Sequence, residues 1–220
     1  MRQFGSLSVA FLAVVFAATT ADAQGPGRGR GMGMGFGQGT ANLIRNSGVQ
    51  KELKLSDEAT EKVKTLADDM GKKMMEKFQD LSQDERREKG MAIAKEINDE
   101  TKAALKGILS PEQLTRLEQI SIQTRGLEAF SDEQVVSKLK LTDDQKSKIK
   151  EIGEDVRSSM QDLRSSFQDD REGAMKKMTA LRKESFEKAT ALLTDDQKKA
   201  WKELTGEPFD YKPEFRRPGA

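Results

Sequence analysis

Among the residues able to do chemistry, three adjacent carboxylate pairs come first: Asp143-Asp144, Asp169-Asp170 and Asp195-Asp196. Paired acids can hold calcium or divide the roles in glycoside hydrolysis. None has the D-x-D-x-D-G spacing of a calcium loop. Each falls where a helix is expected to start, and there acidic side chains favour the positive end of the dipole. Sulfur is the second candidate. The chain has ten methionines and no cysteine, so it has no disulfide and no thiolate to act as nucleophile or ligand. Histidine is absent too, which removes the commonest general base near neutrality and the commonest transition-metal ligand.

Without histidine no Ser-His-Asp arrangement is possible, and there is no P-loop and no G-x-G-x-x-G behind a strand. The residues predict no catalytic site, no cofactor and no dedicated metal site, so the chain is not expected to be an enzyme. Methionine alone selects only soft ions. On a helix stripe it is ordinarily gap-filling core, yet Met-rich grooves also serve adaptable binding. Both readings apply to Met70, Met74, Met75, Phe78, Met160, Leu163 and Phe167, the candidate surface for a client or partner protein. Met75 falls off the main stripe. With 38 basic and 37 acidic residues the net charge is +1, so no overall field favours nucleic acid or an anionic membrane.

The elements that carry these residues are announced by one short phrase, written four times in two pairs. Leu55-Ser56-Asp57-Glu58-Ala59 and Leu109-Ser110-Pro111-Glu112-Gln113 form the first pair. Leu141-Thr142-Asp143-Asp144-Gln145 and Leu193-Thr194-Asp195-Asp196-Gln197 form the second. The first members lie 86 residues apart and the second members 84. Identities follow the same offsets: Leu53, Lys54, Leu55, Asp57, Lys62 and Lys64 recur at +86, and Arg87, Glu88, Met91, Glu100, Leu109 and Gln113 at +84. The spacing predicts a duplicated unit. Ser or Thr is the preferred N-cap, and Gln three residues later can reach back to complete a capping box. The cap motif therefore comprises Leu55, Ser56, Leu109, Ser110, Gln113, Leu141, Thr142, Gln145, Leu193, Thr194 and Gln197, with Ala59 replacing Gln in the first copy. Ser82-x-x-Glu85 and Ser131-x-x-Gln134 read as further boxes.

Behind each start the apolar residues recur at three- and four-residue steps. Ala59, Val63, Leu66, Met70, Met74, Phe78 and Leu81 stripe one first helix; Ile149, Ile152, Val156, Met160, Leu163 and Phe167 stripe the other. Met91, Ala94, Ile97, Thr101, Leu105 and Ile108 line one second helix; Met175, Met178, Leu181, Ser185, Ala189 and Leu192 line its counterpart. Shorter third helices carry Leu114, Leu117 and Ile120, then Trp201 and Leu204. Apolar lead-ins precede each unit at Leu43, Ile44 and Val49 and at Ala129, Phe130 and Val135.

At the N-terminus, Arg2, the apolar run Leu7 to Ala18 and the small-x-small site Ala21-Asp22-Ala23 read as an export signal. A run of twelve residues falls short of the roughly 20 needed to span a membrane. Gly25 to Gly39 places glycine at every second position and reads as a flexible tether. The expected organisation is a signal peptide over 1–23, a Gly-rich tether over 24–39, helical unit A over 40–125, helical unit B over 126–205 and a Pro-containing tail over 206–220.

The four phrases, opening helices of an exported, Met-containing, highly charged chain, resemble the LTxxQ-motif family of Spy/CpxP-like periplasmic helical proteins over roughly residues 49–205. The resemblance implies long helical hairpins that pair into a curved, cradle-like dimer. It also implies chaperone-like or envelope-stress work in the periplasm. The chain departs from that pattern in carrying two units, in its degenerate first motif, and in lacking the histidines of metal-sensing relatives.

The expectation is an all-α fold of two tandem three-helix units, whose halves superpose by an approximate two-fold as a bundle or cradle. The expected function is that of an exported, ATP-independent holdase or stress-binding protein contacting unfolded or specific envelope proteins. It would be a monomeric pseudo-dimer or a homodimer, with no nucleic-acid partner and no stable membrane insertion after signal cleavage. Two alternatives stand beside it: a regulatory or structural envelope protein with one specific partner, and a metal-responsive sensor using Met and carboxylates.

Overall fold

The computed structural model describes residues 39–214, with the side chains of residues 164–169 outside that description. The expected signal peptide, the glycine-rich stretch as far as residue 38, the side chain of Phe167 and residues 215–220 therefore lie outside the described residues. Every regular element among those described is helical. The lead-ins are themselves helices, α1 (Thr40–Arg45) and α2 (Ser47–Glu52). A long hairpin follows, α3 (Asp57–Gln79) and α4 (Gln83–Leu105), and then α5 (Pro111–Arg125). The order then repeats in outline: a 3₁₀ turn (Gly126–Ser131) and α6 (Glu133–Leu139), a second hairpin α7 (Asp143–Asp169) and α8 (Arg171–Ala191), and α9 (Asp195–Thr205).

Side-chain oxygens decide where the long helices begin. Ser56 accepts from the Ala59 N–H, and Ser82 with Glu85, Ser110 with Gln113 and Thr194 with Gln197 form complete capping boxes. Thr142 and Gln145 exchange the same two bonds at the start of α7, at 3.0 and 3.2 Å. One expected box is displaced. The cap of α6 is Asp132, not Ser131: its carboxylate accepts from the Gln134 and Val135 N–H groups and is held by Arg125 at 2.6 Å. A carboxylate caps as well as a hydroxyl, and this one also gains an ion pair, while Ser131 is used up in the 3₁₀ turn.

The joints that precede the phrases also match. Lys54 and Lys140 are left-handed at φ 51° and 50°, and they close α2 and α6. In each case the next N–H reaches back across the turn, Leu55 to the Gln50 carbonyl and Leu141 to the Val136 carbonyl, both at 3.1 Å. This is the Schellman closure, usually made with glycine. Gly126 and Gly206 end α5 and α9 at positive φ, and a Cβ at Gly206 would collide with the Gln119 side chain.

Two apolar cores sit at the bases of the hairpins. The first gathers Leu43, Ile44, Val49, Leu53, Val63, Leu105, Leu109, Leu117 and Ile120. The second gathers Ile122, Ala129, Phe130, Val135, Leu139, Leu141, Ile149, Ala189, Leu193 and Trp201. Many of these correspond at the two offsets: Ile44 with Phe130, Val49 with Val135, Leu53 with Leu139, Val63 with Ile149, Leu105 with Ala189, Leu109 with Leu193, Leu117 with Trp201. Volume is traded within the set. Ala129 and Ala189 stand where Leu43 and Leu105 stand in the first core, and Phe130 and Trp201 fill the space, stacked at 4.5 Å between ring centroids. Larger residues set beside smaller ones are what let such swaps pack.

α5 packs against α9 and contributes to both cores, Ile120 to one and Ile122 to the other. The segment after α9 then crosses onto the first half. Gln123 donates to the Thr205 and Glu207 carbonyls and accepts from the Phe209 N–H, and Asn46 donates to the Lys212 carbonyl. Phe209 and Tyr211 pack on the first core.

The expected second-helix stripes need one correction. Met91 and Met175 were placed on the packed face, but both are exposed. Away from the base each helix has a single partner, and the buried residues there are smaller ones one position earlier, Gly90 on α4 and Ala174 on α8.

Candidate functional site

Away from the bases the hairpins change character. On α3 and α4, between Ala67 and Ile97, Gly90 alone is buried. A helix in a globular core buries a stripe at least about 100° wide, and one partner helix cannot cover that. Met70, Met74 and Phe78 are accordingly half-buried, facing an α4 whose Ile93 and Ala94 are half-buried too. Met75 is 74% exposed. On the second hairpin Val156, Met160 and Leu163 are half-buried, with Ala174 and Met178 buried on α8. Each arm thus carries a line of flexible apolar side chains that is neither closed core nor open surface.

Charge surrounds that line. Lys73 bridges to Glu100 and Lys77 to Glu96, tying α3 to α4 along one edge. The bond to Glu100 holds the Lys73 ammonium above the usual lysine range. On the second arm Lys150–Glu154, Lys176–Glu172 and Lys188–Glu184 run within one helix. At the tip of the first arm, Glu85 has its carboxyl lowered to about 2 by the Ser82 backbone N–H, the Lys89 ammonium and the Ser82 hydroxyl.

The cap phrases do more than start helices. Their leucines anchor the cores: Leu109, Leu141 and Leu193 are buried, and Leu55 is half-buried against the first core. Their glutamines clasp. The Gln145 amide N–H₂ donates to the Leu192 carbonyl and to Gln197 Oε1, at 2.8 and 2.7 Å. The Gln197 amide donates in turn to the Lys140 carbonyl and to Gln145 Oε1, at 3.4 and 2.9 Å. Each glutamine therefore holds the end of the helix that precedes the other's phrase. In the first half, Gln113 makes its share, donating to the Leu53 carbonyl at 2.9 Å. The position matching Gln145 is Ala59, which has no amide to return.

Two of the aspartate pairs and Asp170 serve helix starts, whereas Asp169, expected at a start, is the last residue of α7. Asp143 and Asp144 pair with Lys146 and Lys148, Asp195 and Asp196 with Lys198 and Lys199, and Asp170 caps α8 through the Gly173 N–H. Among the described residues no three acidic side chains gather as a metal site, and no helix is long and apolar enough to cross a membrane.

Reading the sequence by stripe missed three features. The exposure of Met91 and Met175 had no signal in the period, which both residues fit. The Gln145–Gln197 clasp was signalled only by the paired phrases. The docking of Phe209 and Tyr211 had no periodic signal at all.

Residues 129–201 match a family described as a domain of unknown function, DUF4890. The match runs from Ala129 to Trp201, two walls of the second core. No curated protein and no solved structure matches the chain.

Proposed function

We propose that this chain is an exported, ATP-independent holdase that contacts unfolded clients through the distal halves of its two hairpins. The observation that carries the reading is the half-open stripe beyond the closed base, running along both helices of the first hairpin and along α7 of the second, where α8 still buries Ala174 and Met178. Base residues such as Val63, Leu105, Ile149 and Ala189 are buried, while Met70, Met74, Phe78, Met160 and Leu163 stay half-buried. Thioether side chains have three rotatable bonds and polarizable sulfur, which suits contact with many unrelated sequences. The dense charge on either side keeps such a surface soluble and the contact weak. The resemblance of the four phrases to LTxxQ-motif proteins points the same way.

The recurrence of buried positions at +86 and +84 supports a tandem duplication. On that reading the two arms are equivalent and one chain does the work of a pseudo-dimer. An experimental structure whose halves fail to superpose would end it.

The purified mature protein is expected to suppress aggregation of several unrelated unfolding clients without nucleotide. Suppression of none, with tight capture of one envelope protein, would favour the single-partner regulator. Stabilisation by a metal at micromolar concentration would favour the sensor. Export is checked by cell fractionation and by N-terminal sequencing, which should begin at Gln24.

A further inference from the structure

Met75, Met91 and Met175 are the large apolar side chains left exposed among the described residues, at 74%, 86% and 42%. All three are thioethers on the distal arms. Met178, one turn along α8 from Met175, is only 9% exposed, and Trp201 lies stacked in the second core. The chain has no cysteine to react first. An accessible thioether meets oxidants directly, whereas a packed one is shielded by its neighbours.

We infer that Met75, Met91 and Met175 are a set of methionine-sulfoxide sites on the arms, oxidised by two-electron oxidants such as hypochlorous acid or hydrogen peroxide while the fold stays intact. With hypochlorous acid the sulfur lone pair attacks chlorine, the O–Cl bond breaks and hydroxide leaves; water then forms the S–O bond as chloride and two protons leave. With peroxide the lone pair attacks oxygen, the S–O bond forms, the O–O bond breaks and water leaves. Sulfur loses two electrons and the oxidant gains them. Sulfoxide reductases can reverse the change.

The product is polar, and at these positions it enters water rather than a packed contact. The fold therefore has little to lose, while the most exposed apolar groups of the arms become hydrogen-bond acceptors. Met91 and Met175 lie 84 residues apart, so both arms carry the site. Position 161, which corresponds to Met75, is already the polar Gln161. The consequence for clients rests on the holdase reading above; the pattern of oxidation does not.

The test treats the full mature chain with up to about three equivalents of hypochlorite and follows each methionine by peptide mass spectrometry. Met91 and Met75 are expected to oxidise roughly fivefold or more faster than Met178, with the melting temperature unchanged and the order erased in denaturant. Equal rates at Met91 and Met178 in the native protein would overturn the inference, and so would loss of the melting transition once the three sites are oxidised. A Met75→Gln, Met91→Gln, Met175→Gln variant separates the two readings. If the oxidation order holds but this variant suppresses aggregation undiminished, the sulfoxide sites stand and the client role of these residues falls.

Discussion

Each amide of the Gln145–Gln197 pair uses its full capacity. Both N–H bonds donate, and each oxygen accepts from a cap N–H and from the other amide. Gln145 is buried, so losing it strands polar groups that water cannot easily reach. Gln145→Ala is expected to cost about 1–3 kcal/mol by chemical denaturation. Ala59→Gln should supply the missing half of the first clasp and add roughly 0.5–1.5 kcal/mol; no gain would mean that the two halves are not built alike at this point. Glu85 gives a pH-dependent counterpart. Its folded value of about 2 lies below its unfolded value near 4.5, so the ionised box stabilises above pH 4.5. That stabilisation fades as pH falls from 4.5 towards 2. Glu85→Gln keeps a box-forming side chain without the charge, so its acid melting curve should be flatter than the parent's across that window.

At the level of elements the question is whether the half-buried stripe serves the fold or a client. A two-helix arm exposes much surface for the core it has, and its middle lies farthest from the closed base. Met74→Ser with Met160→Ser is expected to lower anti-aggregation activity several-fold while costing at most about 2 kcal/mol, against roughly 2–5 kcal/mol for emptying a fully buried methionine position. Undiminished activity with a large drop in melting temperature would show that these residues are core. The salt bridges Lys73–Glu100 and Lys77–Glu96 add little to this balance, since both pairs remain partly exposed and solvent screens them.

In the whole molecule, the segment after α9 joins the halves. It brings Phe209 and Tyr211, the latter the single tyrosine, onto the first core, while the single tryptophan, Trp201, sits in the second. The two rings are half-buried, so ending the chain after Gly206 should remove roughly 1–3 kcal/mol of stability. The loss should be local. Amide exchange should quicken in α2 and α5, while Trp201 fluorescence in the native state should stay as it was. A change in Trp201 emission would mean that the cores are coupled more tightly than their separate packing implies.

Helix starts, stripes and the repeat were readable because they are local or periodic. A serine followed three residues later by an acid or amide announces Ser82 and Ser110 from neighbours alone, and the offsets of 86 and 84 needed only counting. Even so, Asp132 replaced Ser131 as a cap because Arg125, seven residues away, was there to hold it. Met91 and Met175 fit the period yet face solvent, since a period names a stripe but not how much of it a partner helix covers. Which glutamine meets which carbonyl, and where Phe209 lands, depend on chain segments 47 or more residues apart meeting in space. From its sequence alone this protein was all-α, with capped helices, a phrase repeated at paired spacings and no residues for histidine or cysteine chemistry. Tertiary structure alone decided which apolar side chains close the two bases and which remain half-open on the arms, because burial is set by the number of neighbours in space.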